Sequence, residues 1–490
     1  KEITTFGKTS DAADGTDFQG KPFNTENGQG AYIYNVQWEV PETQQATDFT
    51  SPITGDWDGE TKKGADRPYA RGGVIHDGKY GFTKDTKIHP AAGSGITNAA
   101  SKKDIAIKAQ GANLTVEAAD WAIEAAKDHK IDLTSDKRVT LNGMGVLSAA
   151  SGSAVKVEAA GLTLSGVLQN DGGKVTLNGG NAKSTFSGNL SQSGGGSLLM
   201  HMKGAGSSFA GNVLNLGGSV RIDLSGAGSS FRGMISGPAD TADVSGLRSA
   251  KTATPATTEL ILGKAANVEF TGASKVKTLT VGENSVVKAP DGKELKVDTL
   301  NTGSGSTVTA QAGATLTAGT LAANGSLKLA ADGNIRTDKL TMSGGTIQKV
   351  GGGTAAVKEA EVTKETTLDA AATGMSFDKL SLGNAMLKNT GAADISVKKL
   401  SSNTGGRLFL GSDAKVQAEE ISGDINVLKE AKVHKDGTVT ANSGKLTFKK
   451  VDAAQANKLT LSAVGMTLED ARTGTAEEQK AKKERNQNAL

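Results

Sequence analysis

The chain has 490 residues, including 64 glycines and no cysteine, and its 55 basic and 52 acidic side chains leave a formal net charge of +3. The absence of cysteine excludes a disulfide framework and thiolate metal sites. The balanced charge gives no electrostatic basis for nucleic-acid binding, which requires concentrated positive charge.

The amino-terminal segment, residues 1–95, differs in composition from the rest of the chain. All four Tyr and two of the three Trp lie in it. One strand is predicted within this segment, with four large side chains on one face: Tyr32, Tyr34, Val36 and Trp38. Because an uncovered sheet edge recruits other strands, we expect residues 1–95 to form an irregular, aromatic-rich amino-terminal cap. A separate binding module is the alternative.

Residues 96–465 have a uniform texture of short apolar stretches separated by Gly, Asn, Asp, Ser and Ala, which is typical of many short strands joined by turns. Within them, "GAGSSFAGN" at 204–212 recurs as "GAGSSFRGM" at 226–234. Self-similarity at a period of roughly 20 to 50 residues indicates stacked structural repeats. We therefore expect four phenylalanines to stack along the repeat axis: Phe186, Phe209, Phe231 and Phe270.

Three apolar columns recur at intervals of about twenty residues within 270–430. The first column is Leu279, Leu300, Leu321, Leu340, Val362, Leu380, Leu400 and Ile421. The second is Val286, Val308, Leu327, Ile347, Leu368, Leu387, Leu408 and Val427. The third is Leu295, Leu316, Ile335, Val357, Met375, Ile395 and Val416. Three short strands per repeat predict an all-β fold, a three-sided parallel β-solenoid in which 96–465 form about 18 coils.

The carboxyl-terminal residues 466–490 are predicted to be a polar linker or tail. The stretch 475–490, "TAEEQKAKKERNQNAL", favours helix and places Glu478 four residues before Lys482. It has no apolar face, which favours the interpretation as a linker or tail.

The run "KSTFSGNLSQSGGGSLLMHMKGAGSSFAGNVLNLGGSVRIDLSGAGSSFRGMISG" resembles the glycine-punctuated F-x-G coils of autotransporter passenger domains. These are the surface-exposed parts of type V secreted proteins of Gram-negative bacteria. The resemblance is close over about 183–237 and looser over about 100–465. It implies a right-handed parallel β-helix on the bacterial cell surface or outside the cell, anchored in the outer membrane or released. It also implies a partner β-barrel that follows the passenger; nothing after residue 465 has the alternating strands of such a barrel, so we expect it beyond this chain.

The sequence offers few residues for catalysis. Its five histidines form no H-E-x-x-H motif, and it contains neither G-D-S-G nor a complete phosphate-binding loop. We therefore expect no catalytic site, no cofactor and no metal. Polysaccharide lyases and glycosidases also use parallel β-helices with clustered carboxylates, so a carbohydrate-active enzyme is the alternative from another class. A structural spacer is the third possibility.

A solenoid would stack the polar residues that follow the first apolar column into an outward ladder, with a spacing of about 4.8 Å. The candidate binding residues in this ladder are Thr280, Asn301, Thr341, Thr363, Ser381, Ser401 and Ser422. One interpretation is that these are ordinary solvent-facing strand residues. The other is a long polar face that makes weak, repeated contacts.

The function expected from these observations is that of a non-catalytic adhesin or self-aggregation factor, secreted or exposed at the cell surface. It would act through the side of the β-helical rod. The expected partner is a host or bacterial surface glycan or protein, or a second copy of the chain, and nucleic acid is not expected as a partner.

Overall fold

The computed structural model describes residues 48–49, 75–82, 85–90, 92–238, 255–371, 374–434, 439–452, 459–463 and 475–489. Among the described residues, 65% lie in strands and 3% in helix, so the fold is all-β. The chain divides into two compact units, Lys1–Ala160 and Gly161–Leu490. The strand predicted around Tyr32–Trp38 and most of the predicted cap lie outside the described residues.

The first unit is built from short strands that pair in parallel with strands further along the chain. Its strands are Asp48–Phe49, Gly78–Phe82, Thr86–Ile88, Ile96–Thr97, Ile105–Ala109, Leu114–Glu117, Trp121–Ala125, Lys130–Ser135, Arg138–Ala149 and Ala154–Ala159. Ile105 lies opposite Ile131, which lies opposite Val155, and all three are buried. Alternation of buried and exposed residues places these β-branched side chains in one interior column.

The second unit has the same parallel pairing over a longer stretch. Its strands are Gly161–Asp171, Lys174–Gly179, Thr185–Ser187, Leu190–Ser193, Ser197–Met202, Ser208–Ala210, Val213–Asn215, Gly218–Leu224, Ser230–Gly233, Ile235–Ser236, Ala256–Leu262, Asn267–Phe270, Ser274–Val281, Val286–Lys288, Glu294–Thr302, Ser306–Ala310, Thr315–Ala323, Leu327–Ala331, Asn334–Val350, Thr354–Ala370, Met375–Ser381, Met386–Asn389, Asp394–Leu410, Lys415–Lys429, Ala431–Val433, Val439–Ala441, Lys445–Val451 and Leu459–Ala463. Ala431–Val433 and Val439–Ala441 form an antiparallel hairpin.

Each unit is a parallel β-solenoid, and the described residues form about 14 turns. The estimate of 18 coils assumed one coil length throughout, whereas Val220 pairs with Thr258, 38 residues later, and Ile105 pairs with Ile131, 26 residues later. The parallel solenoid predicted from the apolar columns is confirmed. Its right-handed sense and three-sided cross-section stay predictions.

The repeated "GAGSSF" stretch forms equivalent positions of consecutive coils. Phe186 pairs with Phe209, and Phe209 pairs with Phe231. The ring centroids lie 4.6 Å apart in the first pair and 5.3 Å apart in the second, with the rings stacked. Phe270 extends this contact at 5.6 Å with a tilted ring, although Val268 is the residue opposite Phe231. The predicted stack is therefore confirmed, with a shift of two residues at its last member.

The glycine two residues after each stacked phenylalanine is required by close backbone contact. Gly188 and Gly211 have φ angles of 151° and 148°, which side-chain-bearing residues rarely adopt. A Cβ atom on Gly211 would lie 1.5 Å from the carbonyl oxygen of Gly188, and one on Gly233 would lie 1.7 Å from that of Gly211. The glycine of the F-x-G pattern thus marks a position where the backbones of consecutive coils are too close for a side chain.

Buried polar side chains cap turns between consecutive strands of a coil. Asn170 donates from Nδ2 to the carbonyl oxygen of Gly173 at 3.0 Å, and Asn215 donates to that of Gly218 at 3.2 Å. Both asparagines are at most 1% exposed. Carbonyl groups that turn inward would otherwise lose their hydrogen bonds with water, at a cost of about 1–3 kcal/mol each.

Lys349 performs the same task with a longer side chain. It is fully buried, and its Nζ donates to the carbonyl oxygens of Gly351 at 2.6 Å and Gly353 at 2.8 Å. Burial lowers the pKa of Lys349, and the Asp332 carboxylate opposes that shift. An interior lysine was not expected from the apolar columns.

The first predicted column is confirmed from Leu279 to Leu340, whose members lie opposite one another on successive coils. At the next coil the prediction of Val362 is wrong, because Ala360 lies opposite both Leu340 and Leu380. Val362 instead lies opposite Met342, two residues further along the same pair of strands.

The other two columns have similar local errors. Val287 is fully buried opposite Val308, while the predicted Val286 points outward and is 40% exposed. Leu329, not Leu327, lies opposite Val308 on the following coil. In the third column, Ala355 takes the place predicted for Val357, which lies opposite Thr337 instead. A shift of one or two residues exchanges side chains between columns without changing the period.

The carboxyl-terminal helix extends over Ala476–Ala489, in agreement with the helix-favouring sequence. Thr475 Oγ1 accepts from the backbone N–H of Glu478 at 3.2 Å, and Glu478 Oε2 accepts from that of Thr475 at 2.8 Å. This reciprocal capping box satisfies two N–H groups that the helix leaves unbonded. No helix within the described residues has the length and apolarity needed to span a membrane.

We expect Gly211→Ala to destabilise the second unit by about 3 kcal/mol or more, because the new methyl group would overlap the Gly188 carbonyl in a strained backbone conformation. The matched control is Gly352→Ala, where an added Cβ has no atom within 4 Å. Urea unfolding followed by circular dichroism measures both. Equal midpoints for the two variants would show that the close approach of the coils is not required.

Candidate binding face

The polar ladder predicted beside the first apolar column lies on a series of stacked strands in the second unit. The column runs Thr280, Asn301, Ala322, Thr341, Glu361, Ser381, Ser401 and Ser422, each residue opposite the next. Six of the seven candidate residues therefore share one register. We call these eight residues the polar column.

Thr363 is the exception, and its placement in the ladder was wrong. Glu361 occupies the position between Thr341 and Ser381. Thr363 lies two residues further on, after the strand has turned, where its Oγ1 donates to the carbonyl oxygen of Met342 at 3.1 Å. The error follows from choosing Val362 over Ala360 as the buried residue. The twenty-residue spacing of Leu340, Ala360 and Leu380 could have revealed it.

The side chains of the polar column project little from the surface. Most of its side chains are half-buried between their neighbours, and Ser422 is only 8% exposed. Asn301 Nδ2 donates to Thr280 Oγ1 at 3.2 Å, so two members of the column are joined to each other. Short hydroxyl groups at this depth present a flat polar surface, which favours many shallow contacts over one deep pocket.

The residues that precede the apolar column form a second ladder, which we call the flanking column. Its members are Thr278, Thr299, Thr320, Lys339, Glu359, Lys379, Lys399, Glu420 and Lys450. Three threonines thus give way to charged residues towards the carboxyl terminus.

A third column consists of the residues that directly precede the charged members of the flanking column in the sequence. Sequence reasoning missed this column. It consists of Asp338, Lys358, Asp378, Lys398, Glu419 and Lys449, whose charges alternate in sign from coil to coil. Each lies at a corner between two paired positions; Asp338 and Lys358, for example, separate the pairs Thr337–Val357 and Lys339–Glu359. We call it the alternating column. Adjacent charged residues at twenty-residue intervals were the signal that could have revealed it.

Ion pairs join neighbouring coils along both charged columns. In the alternating column, the Nζ–O distances are 2.5 Å for Lys358–Asp338, 2.7 Å for Lys398–Asp378 and 3.5 Å for Lys449–Glu419. In the flanking column, they are 2.8 Å for Lys379–Glu359, 3.3 Å for Lys399–Glu420 and 2.7 Å for Lys450–Glu420. The two sets are staggered, so every successive pair of coils from Lys339 to Lys450 is joined by at least one ion pair.

These contacts hold both partners in their charged forms. The hydrogen bond and charge of Lys379 lower the pKa of Glu359, and those of Glu359 raise the pKa of Lys379. A hydrogen bond and charge from Asp338 likewise raise the pKa of Lys358. These side chains are between 57% and 69% exposed, so salt screens these interactions.

A second polar cluster ties together coils near the phenylalanine stack. His201 lies opposite Asp223, with Nδ1 3.0 Å from Oδ2, and Lys203 Nζ lies 3.8 Å from the same oxygen. Burial opposes ionisation of Asp223, but hydrogen bonds from Ser225 and His201 outweigh it and lower its pKa. Among the described residues, no group of three or more His, Asp or Glu side chains is arranged to hold a metal ion.

Comparison of the chain with family models, curated proteins and solved structures finds no match. The role of the polar and charged columns therefore has to be inferred from their own chemistry. They are regular columns on the outside of the coils, and their groups repeat at the coil spacing of about 4.8 Å.

We expect the second unit to lose stability as the pH falls below the usual carboxylate range near 4, because the folded state lowers the pKa of Glu359 and Glu420. Stability from a lowered carboxylate pKa is present above the unfolded-state value and is lost as the pH falls through the folded-state value. Glu359→Gln should make this loss smaller. Unfolding midpoints measured between pH 7 and pH 3 test this, with Glu361→Gln as the control.

Glu361 is a suitable control because it is exposed and meets Lys339 only at 3.7 Å. A steeper pH dependence in Glu359→Gln than in the unsubstituted chain would contradict the assignment.

Proposed function

We propose that the chain is a non-catalytic adhesin or self-association factor of the autotransporter passenger type, exposed at the bacterial surface or secreted. It acts through the side of its β-solenoid. The observation that carries this proposal is the outward face of the second unit, where polar and charged side chains occupy equivalent positions on successive coils. A repeating face suits a partner that also repeats or extends, such as a surface glycan or an elongated protein.

The energetics of such a face favour attachment through many contacts. A single hydroxyl or an exposed ion pair contributes little, because water competes for both. Contacts that repeat along a stiff scaffold act together, since the first one holds the others at high local concentration. The half-buried members of the polar column are already ordered, so binding them costs little side-chain entropy.

The three glutamates that are bonded to lysines are poor candidates for the acid of a hydrolase. A glycosidase requires one carboxylic acid with a raised pKa to protonate the leaving group. Glu359, Glu365 and Glu420 instead have lowered pKa values, because lysines bond to each of them. Carboxylates that are held ionised in this way are poor proton donors near neutral pH.

We expect the double variant Thr280→Lys, Thr341→Lys to fold normally but to attach less to cells and to immobilised surface glycans, because two long charged side chains would interrupt the flat polar column. The matched control is Thr307→Lys, Thr367→Lys, which changes two half-buried outward threonines elsewhere on the coils. Attachment of the purified full chain is measured for all three proteins. Equal attachment would remove the polar column from the binding surface, and loss of cooperative unfolding would show that these threonines do not face outward.

We expect no new reducing ends or unsaturated sugars when the chain is incubated with acidic and neutral polysaccharides, since the paired carboxylates lack an acid with a raised pKa. Reducing-sugar assays and ultraviolet absorbance detect the two product types. Sustained product formation that scales with protein concentration would replace the binding proposal with the carbohydrate-active alternative.

A further inference from the structure

The alternating column differs from an ordinary charged surface in its order. Its six side chains are between 50% and 77% exposed. From the amino-terminal coil to the carboxyl-terminal coil, their charges run minus, plus, minus, plus, minus, plus. The column therefore has no net charge, but every neighbouring pair of coils presents opposite signs.

This order disfavours a partner of uniform charge. A polyanion lying along the column would meet a carboxylate next to every lysine, at a spacing of about 4.8 Å, so attraction and repulsion would cancel. The pattern fits a surface that alternates with the same spacing and the opposite phase. A second copy of this chain carries such a surface.

We propose that two copies associate through the alternating column in antiparallel orientation, related by a two-fold axis perpendicular to it. This proposal rests on the self-association part of the proposed function. The rotation places Asp338 against Lys449 of the second copy, Lys358 against its Glu419, and Asp378 against its Lys398. The reciprocal contacts complete a set in which every charge meets its opposite, as an isologous interface requires.

The order of charges in the alternating column disfavours other arrangements of the two copies. In a parallel arrangement without offset each residue would meet its own counterpart, which carries the same charge. Sliding the antiparallel copies by one coil would also place like charges opposite, because the column alternates with each coil. Like-charge contacts at an interface are costly. A parallel arrangement offset by one coil and an antiparallel arrangement offset by two coils pair opposite charges at only five and four of the six positions, so the antiparallel arrangement without offset is the one that pairs all six.

The neighbouring positions on the same strands allow close approach. They are Arg336, Ala356, Ser376, Ser396, Gln417 and Thr447, and the four central members carry no charge. The two-fold rotation places Ser376 against Ser396 of the second copy, at the centre of the contact. Apart from Arg336 and Gln417, the side chains at these neighbouring positions are short.

The flanking column limits where the contact lies. Under the same rotation Lys379 would oppose Lys399 of the second copy, and Glu359 would oppose its Glu420. These are like charges. The corner between the two columns turns the flanking column towards another side of the coil, so we place the interface on the side shared by the alternating column and the serines.

The strength of this association depends on ionic strength. Each member already has a partner within its own chain, and the second copy adds a second opposite charge. Such exposed networks contribute modestly and are screened within about 10 Å at 0.1 M salt. We therefore expect a weak, micromolar dimer at low salt that dissociates as salt is added.

The test uses the full chain and two charge-exchange variants, measured by sedimentation equilibrium at about 50 mM and about 500 mM NaCl. The first variant is Asp338→Lys with Lys358→Asp; the second is Glu419→Lys with Lys449→Glu. Each keeps its net charge and the ion pair within its own chain, but brings like charges together at four of six contacts. Each should self-associate about a hundredfold more weakly than the unsubstituted chain.

Mixing the two variants distinguishes the loss of a specific interface from a general loss of structure. The two variants complement each other at all four altered contacts, so an equimolar mixture should form a mixed dimer of nearly the original strength. The chain with all four substitutions should recover self-association for the same reason. Circular dichroism of each variant checks its fold.

A further exchange, Asp378→Lys with Lys398→Asp, gives an independent measurement should either variant fail to fold. It should associate with itself, because the two altered positions face each other, and more weakly with the unsubstituted chain. Equal association in both cases would overturn the proposed register.

The outcomes distinguish this inference from the broader function. An unsubstituted chain that remains monomeric at about 100 µM in low salt overturns the dimer, while its attachment to cells and glycans would leave the adhesin proposal standing. A dimer that both exchange variants retain places the interface elsewhere. A dimer with the expected complementation but no attachment supports this inference and contradicts the role in adhesion to other surfaces.

Discussion

The structure depends on parallel backbone pairing between successive coils. This pairing places each side chain beside the residue at the equivalent position of the next coil, about 4.8 Å away. One coil alone cannot bury its inner face, so stability comes from these neighbour contacts. One requirement therefore applies to every position in the coil: its side chain must be compatible with the side chains at the equivalent positions of the preceding and following coils.

Inside the solenoid, apolar residues meet this requirement most easily. Leucines stack on leucines, and Phe186, Phe209 and Phe231 stack ring on ring. Where backbone meets backbone, as at Gly188 and Gly211, no side chain fits. Asn170, Asn215 and Lys349 enter the interior with hydrogen-bond partners at the turns, whereas the side chain of the buried Asn389 has none.

Outside, the same requirement acts on charge. A column of identical charges at this spacing would repel along its whole length, whereas alternation turns each neighbour into a partner. The staggered ion pairs of the alternating and flanking columns show this arrangement over six coils. Coil stacking therefore fixes the order of the charges along this surface. A partner whose own charges repeat at the same spacing can pair with that order.

The sequence by itself determined the all-β class, the stacked repeat, the phenylalanine stack and the shared register of six of the seven candidate binding residues. This was possible because a repeat along the chain becomes a repeat along the solenoid axis. It did not determine the neighbours of Ala360, the place of Thr363, the interior position of Lys349 or the ordered charges from Asp338 to Lys449. Those depend on where each strand turns, and a shift of one or two residues at a corner moves a side chain to another column while the period stays unchanged. Only the tertiary structure, through the register of backbone hydrogen bonds, decided which residues face each other across the coils.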